Sequence, residues 1–111
     1  MAIPHAKPAE VIDIRPLGTK IDGTRTSTLV KTDSLEVIRL VLLAGKEIKP
    51  HQVPGEITVF CLEGNVVFQA GDSEYVLTAG ELTYLAGSVE HALRAIKDSS
   101  LLVTILLHKE M

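Results

Sequence analysis

Hydrophobic residues along the chain fall in short runs separated by turn signals at fairly even intervals. The runs are rich in Val, Ile, Leu, Thr and Tyr, which favour strands, and the segments between them carry Gly, Asn, Asp and Ser, which favour turns. The predicted strands are residues 10–14, 27–32, 35–43, 57–62, 66–70, 74–78, 82–85, 91–96 and 100–107. No internal repeat or amphipathic helix interrupts this pattern. Many short strands with regular turns predict an all-β sandwich or barrel.

Two of the predicted strands, 35–43 and 101–107, carry apolar side chains on both faces, whereas residues 74–77 alternate. A strand that is apolar on both faces needs cover on both sides. In a small protein one face can enter the core while the other meets a second subunit, and this pattern therefore predicts a homodimer. A broad aliphatic core within one subunit would produce the same pattern.

The length of 111 residues indicates one domain, within which we separate an N-terminal arm with the first strands (1–34) from a barrel core (35–111). A net charge of -3, with 11 Lys and Arg residues spread along the chain, argues against nucleic acid as a partner. The single cysteine, Cys61, has no intrachain partner, as is typical of a reducing compartment. No segment is apolar enough for a signal peptide or a membrane span, so we expect a cytoplasmic protein with no membrane partner.

Two stretches of the chain match a known pair of motifs. The first runs from Gly45 through His51 to Gly64, and the second runs from Gly80 to His91. Their spacing resembles the two-part signature of the cupins, and the resemblance spans residues 35–107. The second motif departs from the signature where its Pro, Gly and Asn are replaced by Ala86, Ser88 and Ala95. The resemblance implies a cupin-type double-stranded β-helix, which is a jelly-roll barrel of two antiparallel sheets with a ligand site inside its mouth.

The family's metal ligands are only partly present. Metal-bearing cupins hold Fe, Mn, Ni, Cu or Zn with three histidines and a glutamate, and by resemblance only His51 and His91 remain here. Val53 stands at the second histidine position and Ile57 at the glutamate position. Glu56 comes one residue early, so a regular strand would leave it as a solvent-exposed carboxylate, whereas a bulge at the two preceding residues would turn it inward.

With such a bulge, His51, His91 and Glu56 would form a two-histidine, one-carboxylate site. That set suits Fe(II) or Mn(II). The two imidazoles alone would hold a divalent ion (Fe, Mn, Ni or Zn) weakly, with water or substrate completing its shell. Without a metal ion, the two imidazoles are either polar groups of a ligand site or partly buried histidines satisfied by hydrogen bonds.

The substitutions at the ligand positions make the predicted pocket more apolar. We expect a small-molecule ligand there, with His51 and His91 as polar contacts. Cys61 should project into the barrel as a small apolar residue, since no adjacent base would make it a nucleophile. The predicted ligand-binding side chains are Val53, Ile57, Val59, Cys61 and Leu93.

Three functions are compatible with these features. The favoured function is a small-molecule binding module. The alternative is a metal-dependent cupin enzyme, namely a dioxygenase, isomerase or decarboxylase, acting on a small organic acid or sugar. The third is a structural or regulatory dimer without small-molecule chemistry. The fold hosts many chemistries, so the resemblance by itself does not choose among them.

Overall fold

The computed structural model describes residues 5–107, and it confirms the all-β fold with two antiparallel sheets. The outermost parts of the two predicted regions, residues 1–4 and 108–111, lie outside this range. A 3-10 helix, Gly18–Gly23, precedes the strands. The strands of the described range are β1 (Ser27–Lys31), β2 (Leu35–Leu42), β3 (Glu47–His51), β4 (Ile57–Glu63), β5 (Asn65–Ala70), β6 (Ser73–Thr78), β7 (Leu82–Leu85), β8 (His91–Ala95) and β9 (Ser99–Leu106).

The strand order produces a jelly roll. The five-stranded sheet has the order β1-β2-β9-β4-β7, and the four-stranded sheet has the order β3-β8-β5-β6. β9 pairs along its whole length with β2 and also with β4, so both of its edges are hydrogen-bonded within the sheet. The two strands predicted to be apolar on both faces, β2 and β9, are thus central neighbours in the larger sheet. The homodimer stays a prediction.

The core lies between the two sheets. The register places alternate side chains inward, as in the pairs Val59↔Val103 and Cys61↔Leu101. Burying these side chains on two facing sheets supplies the main stabilisation of such a fold. The buried hydrophobic cluster consists of Leu42, Ile57, Val59, Cys61, Val66, Phe68, Leu77, Leu85, Leu93, Ala95 and Leu101.

Two predictions about the elements were wrong. Residues 10–14 do not form a strand, although their residue types predicted one. β3 was not predicted because Glu47–His51 is polar and includes Pro50. It forms through backbone pairing with β8 at the edge of the smaller sheet, and a proline is tolerated on an edge strand because one side of it has no ladder to complete.

Gly64 shows why one motif glycine is required. It joins β4 to β5 with a φ of +82°, which is a conformation that favours glycine. A Cβ atom at this position would also collide with the Ser99 side chain and the Asp98 carbonyl. Both constraints come from the tight connection between the two sheets. Within residues 5–107, no helix is long and apolar enough to cross a lipid bilayer.

Candidate functional site

The two motif histidines, which are 40 positions apart in sequence, are neighbours in the smaller sheet. His51 ends β3 and His91 begins β8, and the two residues are paired across the strands. Their ring centroids are 4.2 Å apart and the rings are tilted by 59°. A register irregularity between Ile48 and His51 accompanies this pairing. The sheet therefore brings together the pair that the sequence singled out.

Each imidazole is held by a carbonyl of its own chain segment. His51 Nδ1 lies 3.0 Å from the Lys49 carbonyl oxygen, and His91 Nδ1 lies 3.0 Å from the Val89 carbonyl oxygen. Because a carbonyl oxygen can only accept a hydrogen bond, Nδ1 carries the proton in both rings. In the neutral state this leaves Nε2 of each ring as a hydrogen-bond acceptor.

The two histidines differ in exposure. His91 is only 5% exposed, whereas His51 is exposed. Burial lowers the pKa of His91 below its usual value, and the neighbouring His51 lowers it further, although the bond to Val89 opposes both effects. At neutral pH His91 is therefore a neutral imidazole.

Both rings line a cavity of about 160 Å³ between the sheets. Val53 and Ile57, which occupy the positions of the absent family ligands, also line it, so these motif positions do converge on one site. Val59 and Leu93 line it as predicted from the sequence. The other lining residues are Ile38, Leu40, Ile48, Val103 and Ile105. Their inward positions follow from the alternation of β2, β3 and β9, but the sequence did not show that they meet at this cavity.

Cys61 lies elsewhere in the core. It is fully buried on β4, two residues beyond Val59, and its Sγ lies 3.4 Å from the Glu63 carbonyl oxygen. Burial raises the pKa of the thiol, so the group is protonated at neutral pH. Cys61 points inward as predicted but is not among the residues that line the cavity. Alternation along a strand determines the face of a residue and not its depth in the barrel.

Glu56 is exposed and is not brought to the histidines. The Tyr84 hydroxyl donates a hydrogen bond of 2.6 Å to Glu56 Oε2, and this carboxylate raises the pKa of Tyr84. Glu56 lies just before β4, whose first residue, Ile57, lines the cavity, whereas the Glu56 carboxylate is bonded to the exposed Tyr84 side chain. Glu56 therefore does not take the inward position that a bulge would have given it, and the sequence did not identify Tyr84 as its partner.

The described residues do not fit a metal ion held by protein ligands alone. His51 and His91 could each offer Nε2, but the other two ligand positions carry Val53 and Ile57. Within residues 5–107, no group of three or more His, Cys, Asp or Glu side chains is arranged to hold a metal. Two imidazoles without a third protein ligand are fewer than structural or catalytic metal sites use.

The comparisons with known proteins agree with this fold. A model of the Cupin domain family matches residues 38–107, and the chain belongs to this family. A search of curated proteins found no match. A conserved protein of unknown function from Streptococcus pyogenes is 21% identical, with 99% of this chain and 97% of that chain covered and a TM-score of 0.76.

Two other solved structures extend the comparison. A cupin superfamily protein from Desulfitobacterium hafniense is 15% identical, with 93% of this chain and 100% of that chain covered and a TM-score of 0.77. DMSP lyase DddQ from Ruegeria pomeroyi is 22% identical, with 76% of this chain and 46% of that chain covered and a TM-score of 0.66. At these identities the likeness shows the fold, and the function has to be argued from the site.

Proposed function

We propose that this protein binds a small, largely apolar molecule in the cavity between its sheets. The observation that carries the proposal is the lining itself, which combines nine aliphatic side chains with the two imidazoles. A mostly apolar concave site with a few convergent polar groups is the usual form of a small-molecule site. The two substitutions that remove family metal ligands, Val53 and Ile57, add apolar surface to this lining.

The histidines define the polar end of the ligand. Both rings use Nδ1–H on backbone carbonyls, so a bound molecule meets Nε2 acceptors. The ligand should therefore carry a hydrogen-bond donor, such as a hydroxyl or a protonated carboxylic acid. The volume of about 160 Å³ sets its size. An apolar cavity of about 150 Å³ accepts a benzene-sized molecule, so the ligand, or the part that enters, should be about that large.

Methyl and amide NMR titrations would test this proposal with phenol and toluene, which have similar size and differ in the donor. Phenol should give saturable shifts at Val59, Leu93 and Val103, and toluene should bind at least about fivefold more weakly because it cannot donate to Nε2. If neither probe shifted these signals saturably, the proposal would be lost.

A pair of matched variants would locate the binding. Val53→Phe places a ring in the cavity lining and should abolish the phenol shifts. Val76→Phe makes the same change at a valine that is 50% exposed on β6, and it should leave binding unchanged. Equal phenol affinity in the Val53→Phe variant and the wild-type protein would contradict the assignment of the cavity.

The alternative is a metal-dependent enzyme acting on a small organic acid or sugar. Its supporting observation is that both rings present Nε2 with Nδ1 fixed by a carbonyl, which is how metal-ligating histidines are commonly held. Metal analysis of protein purified without chelators, after growth with added Fe, Mn and Zn, separates the two functions. Stoichiometric metal that is lost in His51→Ala would favour the enzyme, and metal-free protein that binds phenol would favour the binding module.

A further inference from the structure

The N-terminal segment contacts the larger sheet on the side away from the cavity. The backbone N–H groups of Leu17 and Gly18 donate to the Glu63 carboxylate at 2.7 and 3.0 Å. Arg39, on β2, donates from Nη2 to the Arg15 carbonyl oxygen at 2.6 Å. Between the segment and the sheet lies a depression of about 400 Å³ lined by Asp13, Arg15, Pro16, Leu17, Lys20 and Arg39.

Arg39 is the unusual residue in this depression, because its guanidinium is buried and no carboxylate of the described residues forms an ion pair with it. The residue is only 8% exposed, and the bond to the Arg15 carbonyl is the one hydrogen bond of its side chain to the described residues. Its Nε is buried and has no hydrogen-bond partner. A guanidinium has five N–H donors and stays charged at any ordinary pH. Burying such a group is costly unless it is paired, so the N–H groups of Arg39 that have no partner favour a directly bonded anion.

The nearby carboxylates of Asp13 and Glu63 interact electrostatically with Arg39, but they make their hydrogen bonds elsewhere. Asp13 forms a two-point pair with Arg15, with Nε–Oδ1 and Nη2–Oδ2 distances of 3.0 and 2.8 Å. Glu63 accepts from the Leu17 and Gly18 amides and from the Ser100 hydroxyl. No carboxylate of the described residues lies within ion-pair distance of Arg39.

The remaining lining adds to the positive charge. Three of the six lining residues are cationic and one is acidic, and that acid already pairs with Arg15. Lys20, on the 3-10 helix, has no ion-pair partner among the described residues. Arg39 and Lys20 therefore offer one planar guanidinium and one ammonium group at the same depression.

We infer that this depression binds the oxyanion of a small molecule, either a phosphate or a carboxylate group, with Arg39 and Lys20 as the recognising residues. The guanidinium fork matches the oxygen spacing of both groups, and Lys20 adds a point charge. An anion there would supply Arg39 with a directly bonded charge partner, which the described residues do not provide. The site lies on the outer side of the sheet, so it is independent of the cavity ligand.

NMR of the arginine side-chain Nε–H groups and of the backbone amides would test the site. The probes are inorganic phosphate and acetate, each compared with sodium chloride at the same ionic strength. Saturable shifts of Arg39 Nε–H together with the Gly18 and Lys20 amides support the proposal. The probe with the stronger effect identifies the oxyanion. Shifts that sodium chloride reproduces, or no saturable shifts with either probe, would overturn it.

Two variants and a control make the test specific. Arg39→Lys keeps the charge and loses the fork, so it should weaken binding of the preferred probe by about tenfold or more. Lys20→Met changes an exposed side chain and should weaken binding about threefold without disturbing the fold. Lys46→Met, at an exposed turn before β3 in the other sheet, should have no effect. Equal weakening by Lys20→Met and Lys46→Met would show non-specific attraction and reject the site, even if Arg39→Lys failed to fold.

Discussion

The same strands build two ends of the barrel that are filled differently. At one end, which we call the closed end, Cys61, Val66 and Leu101 are fully buried. At the other, the open end, Val59 and the residues before it on β4 border the cavity with the two histidines. β4 and β9 contribute inward aliphatic side chains to both ends, so their hydrophobic pattern does not distinguish them.

The difference arises from the size of the side chains that face each other across the sheets. Phe68 supplies a large ring where the two ends meet, 5.6 Å from the Tyr75 ring and 6.2 Å from the His91 ring. The Tyr75 hydroxyl lies 2.7 Å from Thr83 Oγ1. The cavity lining includes no Phe, Tyr or Trp. Facing sheets are about 10 Å apart, and Val and Ile side chains on the two sides do not fill that distance as a phenyl ring does. A site can thus arise by placing medium-sized residues at one end of a continuous core.

Truncating a leucine at each end is the strongest test of this comparison. Leu101→Ala at the closed end should lower the free energy of unfolding by about 3–5 kcal/mol, because the surrounding side chains already pack closely. Leu93→Ala at the open end should cost about 2–3 kcal/mol, because Leu93 already borders the cavity. Urea unfolding of both variants measures the difference. Equal decreases in the free energy of unfolding would mean that the open end is packed as tightly as the closed end.

The stability of the fold should depend on pH through one titratable group at each end, on the acid side for His91 and on the alkaline side for Cys61. Burial lowers the pKa of His91 below the ordinary 6.5, so the unfolded chain binds a proton that the folded chain does not. This part of the stability is present above pH 6.5 and is lost as the pH falls towards the pKa of the folded state. Burial raises the pKa of Cys61 above the ordinary 9.0, so its contribution is present below pH 9.0 and is lost as the pH rises.

Unfolding midpoints measured between about pH 5 and 10 would check both signs. His91→Gln should flatten the profile on the acid side only, and Cys61→Val should flatten it on the alkaline side only. An acid-side slope that survives in His91→Gln would show that other groups control it.

The smallest effect is expected at Ser88, which stands where the cupin motif has a glycine. Its φ is +65°, and its backbone N–H donates to the Val53 carbonyl oxygen at 2.8 Å, next to the open end. Ser88→Gly should relieve about 1–2 kcal/mol of strain and lose about half of that gain to the greater freedom of the unfolded chain.

The matched control is Ser34→Gly, since Ser34 has no positive φ. Calorimetry should show a small rise in melting temperature for Ser88→Gly and a fall for Ser34→Gly. A fall in both variants would mean that the Ser88 side chain contributes more than its backbone strain costs.

Most of the fold was predictable because it depends on local patterns. The strand runs and turn residues predicted eight of the nine strands in residues 5–107 approximately, and the motif spacing identified the cupin jelly roll. β3 was missed because an edge strand is stabilised by backbone pairing and needs no apolar alternation. The extra strand at 10–14 was predicted from composition alone, since nothing in the sequence shows whether a neighbouring strand is available to pair with it.

The residues of the candidate site could be predicted to a similar extent. Motif positions were enough to select His51, His91, Val53 and Ile57, because a conserved spacing on known strands fixes which side chains face the barrel. The partner of Glu56 was not predictable, because Tyr84 is 28 residues away and reaches it only through the pairing of β4 with β7.

The sequence by itself determined which residues form strands, which of them point inward and which two histidines survive from the motif, because these follow from alternation and spacing along the chain. Only the tertiary structure decided that one end of the core encloses a cavity, that Cys61 lies beyond it and that Arg39 is buried without an ion pair to a carboxylate of the described residues. These properties depend on side-chain volumes facing each other across two sheets and on contacts between residues far apart in the chain. Contacts between distant parts of the chain leave no local sequence pattern from which they could be predicted.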